Sequence, residues 1–334
     1  MEGRPNFYLF GTPISHSMAP PLQNYLFDST GLTTHRYRLF DTGDLERSKF
    51  AEEIRKPTFG GCAITMPNKQ AAIKYMDKLT PSAEAIGSIN TVFLEFQSGS
   101  DDGQPLFVGH NTDMLGVRNA LLRSLQQANP GNKSIPERTD EKSPVFRPGT
   151  AYSFIIGGGG TTRAAVYALN TMGCSPIYLI NRDPAETEAV VKHFPNLDLR
   201  PLMDEASTRS ELKKQAEAGK RLSVGVGAIP AIDPVTDAEK MVYTISKMIL
   251  EQPDNKKPGD LEGRHFLEMP YKPRWTPMMQ IAQDRGWRPI SGVEAMVEQG
   301  LAQQYLWQHR KHFGEAEVKV RQYIDGLTAP PPAS

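Results

Sequence analysis

Three short stretches of the chain carry residue types suited to moving a proton. Lys69 ends Ile64-Thr65-Met66-Pro67-Asn68-Lys69, just past a short apolar run, and Asp113 ends Gly109-His110-Asn111-Thr112-Asp113, just past another. Between them, Gly87-Ser88-Ile89-Asn90-Thr91 reads as a turn whose polar pair enters a third strand. An amine held beside a carboxylate suits proton exchange with a hydroxyl. The carboxylate orients the ammonium, while burial and neighbours set when the proton leaves. The plain alternative is a surface ion pair and two turn asparagines, which contribute little. Strand ends that deliver Lys, Asn and Asp together favour one pocket at a sheet edge.

The elements that must position these groups alternate. Phe7-Tyr8-Leu9-Phe10 is a strand stopped by Gly11, and Thr12–Pro20 is a hydroxyl-rich loop bracketed by prolines. Ser15 and Ser17 in that loop could bind a carboxylate or hydroxyls, or simply cap the helix that starts near Pro21. His35–Phe40 reads as a strand with Tyr37 and Leu39 on one side, and Gly61–Thr65 as another. Lys69 is predicted to open a helix through Ala72, Ile73, Met76 and Leu79. Strands alternating with helices imply a parallel or mixed sheet covered by helices, an α/β domain.

Met114–Gln127 has helical periodicity, and residues 129–150 are polar, rich in Pro and Gly, and read as an exposed insertion. The pattern then hardens. Ser153–Ile156 is a buried-type strand, Gly157-Gly158-Gly159-Gly160-Thr161-Thr162 is a turn, and Ala164, Ala165, Ala168, Leu169 and Met172 stripe a helix. Pro176–Ile180 is the next strand and ends at Asn181-Arg182-Asp183. Strand, glycine turn, helix, strand and charged residue is the dinucleotide-binding arrangement, in which side-chain-free backbone meets a pyrophosphate at the helix amino end. Thr162 stands where the fingerprint's third glycine is usual. Asp183 could accept ribose hydroxyls, favouring NAD, whereas Arg182 could meet a 2′-phosphate, favouring NADP; Glu186 adds negative charge. Leu222–Gly227 and Phe266–Met269 read as further strands, and 204–220 and 254–263 as polar connecting surface. Val293, Met296, Val297, Leu301 and Tyr305 share a late helix with Gln299 and Gln303, which lie off its apolar line.

Composition narrows the class. The 334 residues suit two domains of ordinary size, and 38 basic residues balance 38 acidic ones, so no global field points to nucleic acid or an anionic membrane. No apolar run is long enough to span a bilayer, and Met1-Glu2-Gly3-Arg4-Pro5-Asn6 lacks the apolar core of a signal peptide. Cys62 and Cys174, without metal-ligand spacing, read as thiols of a reducing compartment, so a cytoplasmic location and no metal are expected.

Taken together, the motifs resemble the shikimate/quinate dehydrogenases. They are Gly11-x-Pro13-Ile14-Ser15-His16-Ser17, Ile64-Thr65-x-Pro67-x-Lys69, Ala85-Ile86-Gly87-x-x-Asn90-Thr91 and Gly109-x-Asn111-Thr112-Asp113. The Gly157–Gly160 turn, Asn181-Arg182, and Gly292 followed by Gln299 continue the family order across nearly the whole chain. Gly-Gly-Thr-Thr-Arg-Ala and Asn-Arg-Asp resemble the stand-alone fungal branch in particular.

The resemblance implies two domains. Residues 1–117 with 290–330 would form an α/β substrate-binding and catalytic domain, and 118–289 an inserted Rossmann-like NAD(P)-binding domain. It implies Lys69 and Asp113 as the catalytic pair, and Ser15, Ser17, Thr65, Asn90, Tyr271 and Gln299 as substrate-binding residues. The cofactor would be held by Gly157, Gly158, Gly159, Gly160, Thr161, Asn181, Arg182, Asp183 and Gly292. The expected reaction is hydride transfer between NAD(P) and a ring hydroxyl of quinate or shikimate, in a monomer or homodimer. NAD is favoured because Asp183 and Glu186 stand where NADP users often carry neutral or basic residues. Asn68 departs from a common His, Val226-Gly227-Ala228-Ile229 from the usual Asn-Ala-Thr, and Ala295-Met296 from a Met-Leu pair. The alternative is a non-catalytic ligand sensor on the same fold, but such a protein would be expected to lose Lys69 or Asp113, and both are present.

Overall fold

Phe7-Tyr8-Leu9-Phe10 forms the middle of strand β1 (Asn6–Gly11) in the computed structural model, which describes residues 5–46, 49–96, 104–137, 143–231 and 233–329. Helix α1 (Ala19–Ser29) has prolines in its first turn, where a missing N–H has no intrahelical partner to lose. Strand β2 (Arg36–Asp41), helix α2 (Phe50–Ile54) and strand β3 (Phe59–Ile64) follow. Beyond a 3₁₀ turn at Ala71–Tyr75 come β4 (Lys78–Leu79) and α3 (Pro81–Ile86), the latter capped by the Thr80 hydroxyl. Strands β5 (Thr91–Glu95) and β6 (Leu106–His110) lead into α4 (Asp113–Ala128). The sheet order is β2-β1-β3-β5-β6-β4, with β5 antiparallel to both neighbours.

One expectation fails here for a local reason. The helix predicted from Lys69 to Leu79 does not form; Lys69 sits in a turn and Leu79 pairs with Gly109 of β6. Asp77 N–H already bonds Phe107 O at 2.9 Å, so the chain is drawn into the sheet before a helix can propagate. Leu39, placed with Tyr37 on one side of the strand, is exposed, because β2 is an edge strand covered only around Tyr37. There the Asn24 side chain accepts from Tyr37 N (2.8 Å) and donates to Tyr37 O (3.1 Å), occupying an otherwise open edge.

The following segment is wound twice. It comprises β7 (Ala151–Ile156), α5 (Gly160–Thr171), β8 (Ile177–Ile180), α6 (Pro184–His193), β9 (Leu199–Pro201), α7 (Glu205–Glu217) and β10 (Arg221–Gly227). Helix α8 (Asp237–Leu250), β11 (His265–Glu268), α9 (Pro277–Asp284) and β12 (Arg288–Ser291) complete it. All strands are parallel in the order β12-β11-β10-β7-β8-β9. Every residue of β7, β8, β10 and β11 is buried, as a sheet covered on both faces requires. Residues 204–220 are not merely connecting surface, since α7 is capped by Asp204 and turns Leu212 inward. Residues 129–150 are not wholly exposed either. Ile135 and Phe146 are buried, and the amides of Val145 and Phe146 both bond Met172 O; 138–142 lie outside the described residues, as do 1–4 of the amino terminus.

Helices α10 (Gly292–Gln308) and α11 (Glu315–Thr328) end the chain. Trp307 of α10 packs on Phe7 and Phe27 and donates to Val92 O at 3.0 Å, so the carboxyl-terminal helices help close the first sheet. The chain thus forms two compact units, Met1–Asp113 with Val297–Ser334, and Met114–Met296. The fold is α/β, with one mixed and one parallel sheet. Among the described residues no helix is long and apolar enough to cross a membrane.

One buried group makes the second unit sensitive to pH. Glu268 ends β11 almost fully buried, and its Oε2 has no hydrogen-bond partner among the described residues. Burial pushes its carboxyl up to about 8. Between the ordinary carboxyl range and about 8 the native state holds a proton that the unfolded chain releases, so stability falls as pH rises through that window and levels off above it. Buried His110 and His265, pushed down to about 4, act in the opposite sense below about pH 6.5 in wild type and variant alike, so the difference isolates Glu268: the urea midpoint of Glu268→Gln should rise relative to the wild type between about pH 5 and about pH 8. An equal slope in both proteins would show that another group titrates.

Candidate active site

Register places four loops at one edge of the first sheet. Parallel β1 and β3 both end there, Thr91 at the start of β5 lies opposite Ala63, and His110 at the end of β6 lies opposite Thr91. Residues 12–18, 65–69, 88–90 and 111–113 leave or enter that edge. Backbone bonds tie the loops together: Thr12 N to Met66 O (3.1 Å), Ile64 N to Asn90 O (2.8 Å), Ile89 N to Lys69 O (2.9 Å) and Asn90 N to His110 O (3.0 Å).

Asp113 is the centre of this edge. Its Oδ2 accepts from Lys69 Nζ; its Oδ1 accepts from Asn90 Nδ2 at 2.9 Å and from Gln299 Nε2. As the first residue of α4, it also places negative charge at a helix amino end, a favourable site. The Lys69 and Asp113 side chains keep 17% and 9% of their exposure, so the pair is shielded yet reachable. Asn90 is fixed in turn. Its Oδ1 accepts from Thr112 N (2.7 Å), Thr112 Oγ1 (3.1 Å) and Thr91 Oγ1 (2.9 Å). Asn111 Nδ2 donates to Ser88 O at 3.0 Å, while Asn111 Oδ1 accepts from Asp113 N at 3.1 Å.

A buried glutamine row backs the site, and of its members only Gln303 was singled out from sequence. Gln303 donates to Thr91 Oγ1 (3.2 Å), Gln23 donates to Gln303 Oε1 (2.7 Å), and Gln304 donates to Gln23 Oε1 (2.8 Å). No local signal could have found the row, because the burial that obliges these three amides to find partners arises only once α1 and α10 are packed together. Two other neighbours of the site have structural roles. Asn68, where a His is common among proteins of the resembled family, turns its amide away to Thr42 O at 2.8 Å. His110 lies 2.7 Å from Thr80 Oγ1 through Nδ1, and burial pushes its imidazole down to about 4, so it is neutral at physiological pH.

Ser15 is exposed in the loop after β1, whereas Ser17 accepts from Ala19 N at 3.2 Å and so also serves the start of α1. Thr65, half-buried, accepts Asn68 N through its carbonyl at 3.0 Å. Tyr271 belongs to the second unit, half-buried in the loop after β11. Among the described residues no three His, Cys, Asp or Glu side chains are grouped to hold a metal.

In the second unit the glycine turn joins β7 to α5. A Cβ on Gly158 would fall 2.0 Å from Asn181 Nδ2, so a side chain here would displace Asn181 from its contacts. A Cβ on Gly159 or Gly160 would meet nothing within 4 Å, and no side chain caps α5. Open space over an uncapped helix amino end fits the pyrophosphate of a dinucleotide. Thr162 is buried, and its hydroxyl has no hydrogen-bond partner among the described residues. Beyond β8, Asn181 Nδ2 donates to Asp183 O and Glu186 Oε2, both at 3.0 Å. Asp183 Oδ1 accepts from Ala185 N at 2.8 Å, capping α6, and Arg182 pairs with Glu239 of α8. After β10, Ala228 N bonds Ile156 O at 2.7 Å, so the departure at Val226-Gly227-Ala228 keeps its backbone tie to β7. Gly292 starts α10 where a Cβ would fall 2.1 Å from Met269 O.

Residues 9–92 match the family model described as the shikimate dehydrogenase substrate binding domain. The pentafunctional AROM polypeptide of Komagataella phaffii is 36% identical over 308 residues, covering 92% of this chain and 17% of that polypeptide. The chain therefore spans about a sixth of the length of such a relative. A solved structure of dehydroquinate dehydratase and shikimate dehydrogenase from S. pombe AroM is 30% identical, with a TM-score of 0.71 over 96% of this chain and 52% of that one. Thermus thermophilus shikimate 5-dehydrogenase, solved with NADP(H) and shikimate, is 23% identical, with a TM-score of 0.65 over 96% and 99% of the two chains, and attests the fold. In sequence the chain resembles shikimate dehydrogenases, fungal ones included, and it shares their two-domain fold.

Asn90→Ala tests the site as a built network. It removes the Asp113 contact and leaves the groups that Asn90 Oδ1 satisfies without their acceptor. Stability should fall by about 2–4 kcal/mol in urea unfolding, the scale for stranding several buried polar groups. A loss under about 0.5 kcal/mol, typical of a surface change, would contradict the network.

Proposed function

We propose that this relative of the shikimate dehydrogenases is an NAD(P)-dependent oxidoreductase acting on a ring hydroxyl of quinate or shikimate, giving 3-dehydroquinate or 3-dehydroshikimate. One observation carries the reading: the Asp113 carboxylate gathers Lys69, Asn90 and Gln299 from separate parts of the first unit. A surface ion pair needs no such support.

The first unit would bind the ring acid and the second the dinucleotide. A bound nicotinamide dinucleotide supplies the hydride acceptor. Lys69 takes the proton of the substrate hydroxyl as its carbon is oxidised, and returns it to the oxygen in the reducing direction. Asp113 orients the Lys69 amine, and Asn90 and Gln299 keep Asp113 from rotating away. Ser15 and Ser17 would meet the substrate carboxylate, with Thr65, Asn90, Gln299 and Tyr271 on the carboxylate or ring hydroxyls. The turn from Gly157 to Thr161, with Asn181, Arg182, Asp183 and Gly292, would line the dinucleotide site, and NAD is the favoured form. Cys62 and Cys174, both buried free thiols, suit a reducing cytoplasm.

Purified protein assayed with quinate and shikimate against NAD⁺ and NADP⁺ is the direct test; no turnover with any pairing would sink the assignment. Lys69→Ala should lower kcat by about a hundred- to ten-thousandfold, with a much smaller change in KM. Asp113→Asn should act similarly. Retention of most turnover in Lys69→Ala would remove that residue from the reaction. Ser15→Ala should raise KM for the ring acid more than it lowers kcat, and equal effects on a substrate lacking the carboxylate would give the loop another role.

A further inference from the structure

The groups counted from sequence around the adenosine ribose are already engaged. Asp183 Oδ1 holds the amides of Ala185 and Glu186 at 2.8 and 3.4 Å. Glu186 Oε2 holds Asn181 at 3.0 Å. Arg182, the group that would grip a 2′-phosphate, donates through Nη1 to Glu239 Oε1, 57 residues away. Glu239 is the third residue of α8 and completes a capping box with Thr236. Its Oε2 accepts from Val235 N and Thr236 N, both at 3.0 Å, and its own N–H donates to Thr236 Oγ1 at 3.2 Å.

The two partners are not equally free. The Glu239 side chain is 16% exposed and Arg182 60%, so the carboxylate is the fixed member and the guanidinium the movable one. A 2′-phosphate approaching Arg182 would compete with an anion already in place. Ribose hydroxyls, being neutral, meet no such competition. Resting on the dinucleotide reading above, we infer that Glu239, outside the nucleotide-binding motif, sets the preference for NAD over NADP by sequestering Arg182. It is a specificity-determining residue of that site, distinct from the carboxylates at Asp183 and Glu186.

Glu239→Gln separates charge from structure, because glutamine also serves in a capping box. Calorimetric titration of the full chain with NAD⁺ and NADP⁺ reads the effect without turnover. NADP⁺ should bind about tenfold more tightly to the variant, while NAD⁺ stays within about twofold, which also reports an intact fold. In an Arg182→Ala background the same substitution should change NADP⁺ affinity less than about threefold, since nothing remains to be released. Should the glutamine variant fold poorly, Glu239→Ala is expected to shift the ratio in the same direction at a lower Tm. Unchanged NADP⁺ affinity overturns the inference, as does a tenfold gain that persists without Arg182, which would make Glu239 a direct repellent of phosphate. Wild-type protein that binds neither dinucleotide overturns the cofactor reading, and this inference with it.

Discussion

The first unit depends on keeping one carboxylate in one orientation. Asp113 has two oxygens and three side-chain donors, and each donor comes from a different place: a turn after β3, the entry to β5, and α10. Such an arrangement requires those segments to end at the same edge of the sheet. That is why β5 runs antiparallel between β3 and β6, bringing its first residue beside the last residues of both. It also explains why the chain returns with α10 after the second unit, since Gln299 and Trp307 lie on that helix. Trp307 anchors α10 to Val92 and Gln303 anchors it to Thr91, adjacent residues of β5. The helix that delivers a donor to Asp113 is thus held by the strand that Asn90 precedes.

Legibility followed the range of the interaction. The glycine turn, its helix and the strand before it were readable because each is a local pattern of apolar period and side-chain size. The Lys69–Asp113 pairing was readable as chemistry, because strand-end positions narrow what can meet. The segment after Lys69 was misread because Ala72, Ile73, Met76 and Leu79 fit a helical period. Leu79 nevertheless belongs to a strand whose partner, β6, lies some thirty residues on, and that pairing decides its structure. The exposure of Leu39 was not legible for a related reason: alternation gives a face, but only the covering elements decide whether the face is buried. The glutamine row behind the site was invisible because Gln23 and Gln304 signal nothing until α1 and α10 are placed together.

The two units solve positioning by different means. In the first, a side-chain network sets the geometry, and its two hubs, Asp113 and Asn90, are each tied to several others, so the loss of either strands the rest. In the second, backbone and absent side chains do so, through glycine positions that leave the amino end of α5 open. This difference accounts for the sequence departures. Asn68 and the Val226-Gly227-Ala228 segment differ from the family pattern, yet Asn68 turns to Thr42 O and Ala228 ties to Ile156 through its N–H. Neither change disturbs the Asp113 network, because neither side chain belongs to it.

Charge around the second unit's β8 end shows why counting residues along a chain misjudges a field. One arginine and two carboxylates in five residues, Arg182 to Glu186, sum to a negative patch on paper. In three dimensions Asp183 is spent on the amino end of α6, where helix amides take part of its charge, and Glu186 on Asn181. The arginine is matched by a glutamate that the motif does not contain. What distinguishes Glu239 from the two local carboxylates is that its position is enforced twice, by backbone amides on one oxygen and a guanidinium on the other. A carboxylate held in that way stays put whether or not Arg182 is called elsewhere, so the guanidinium always has a competitor within reach.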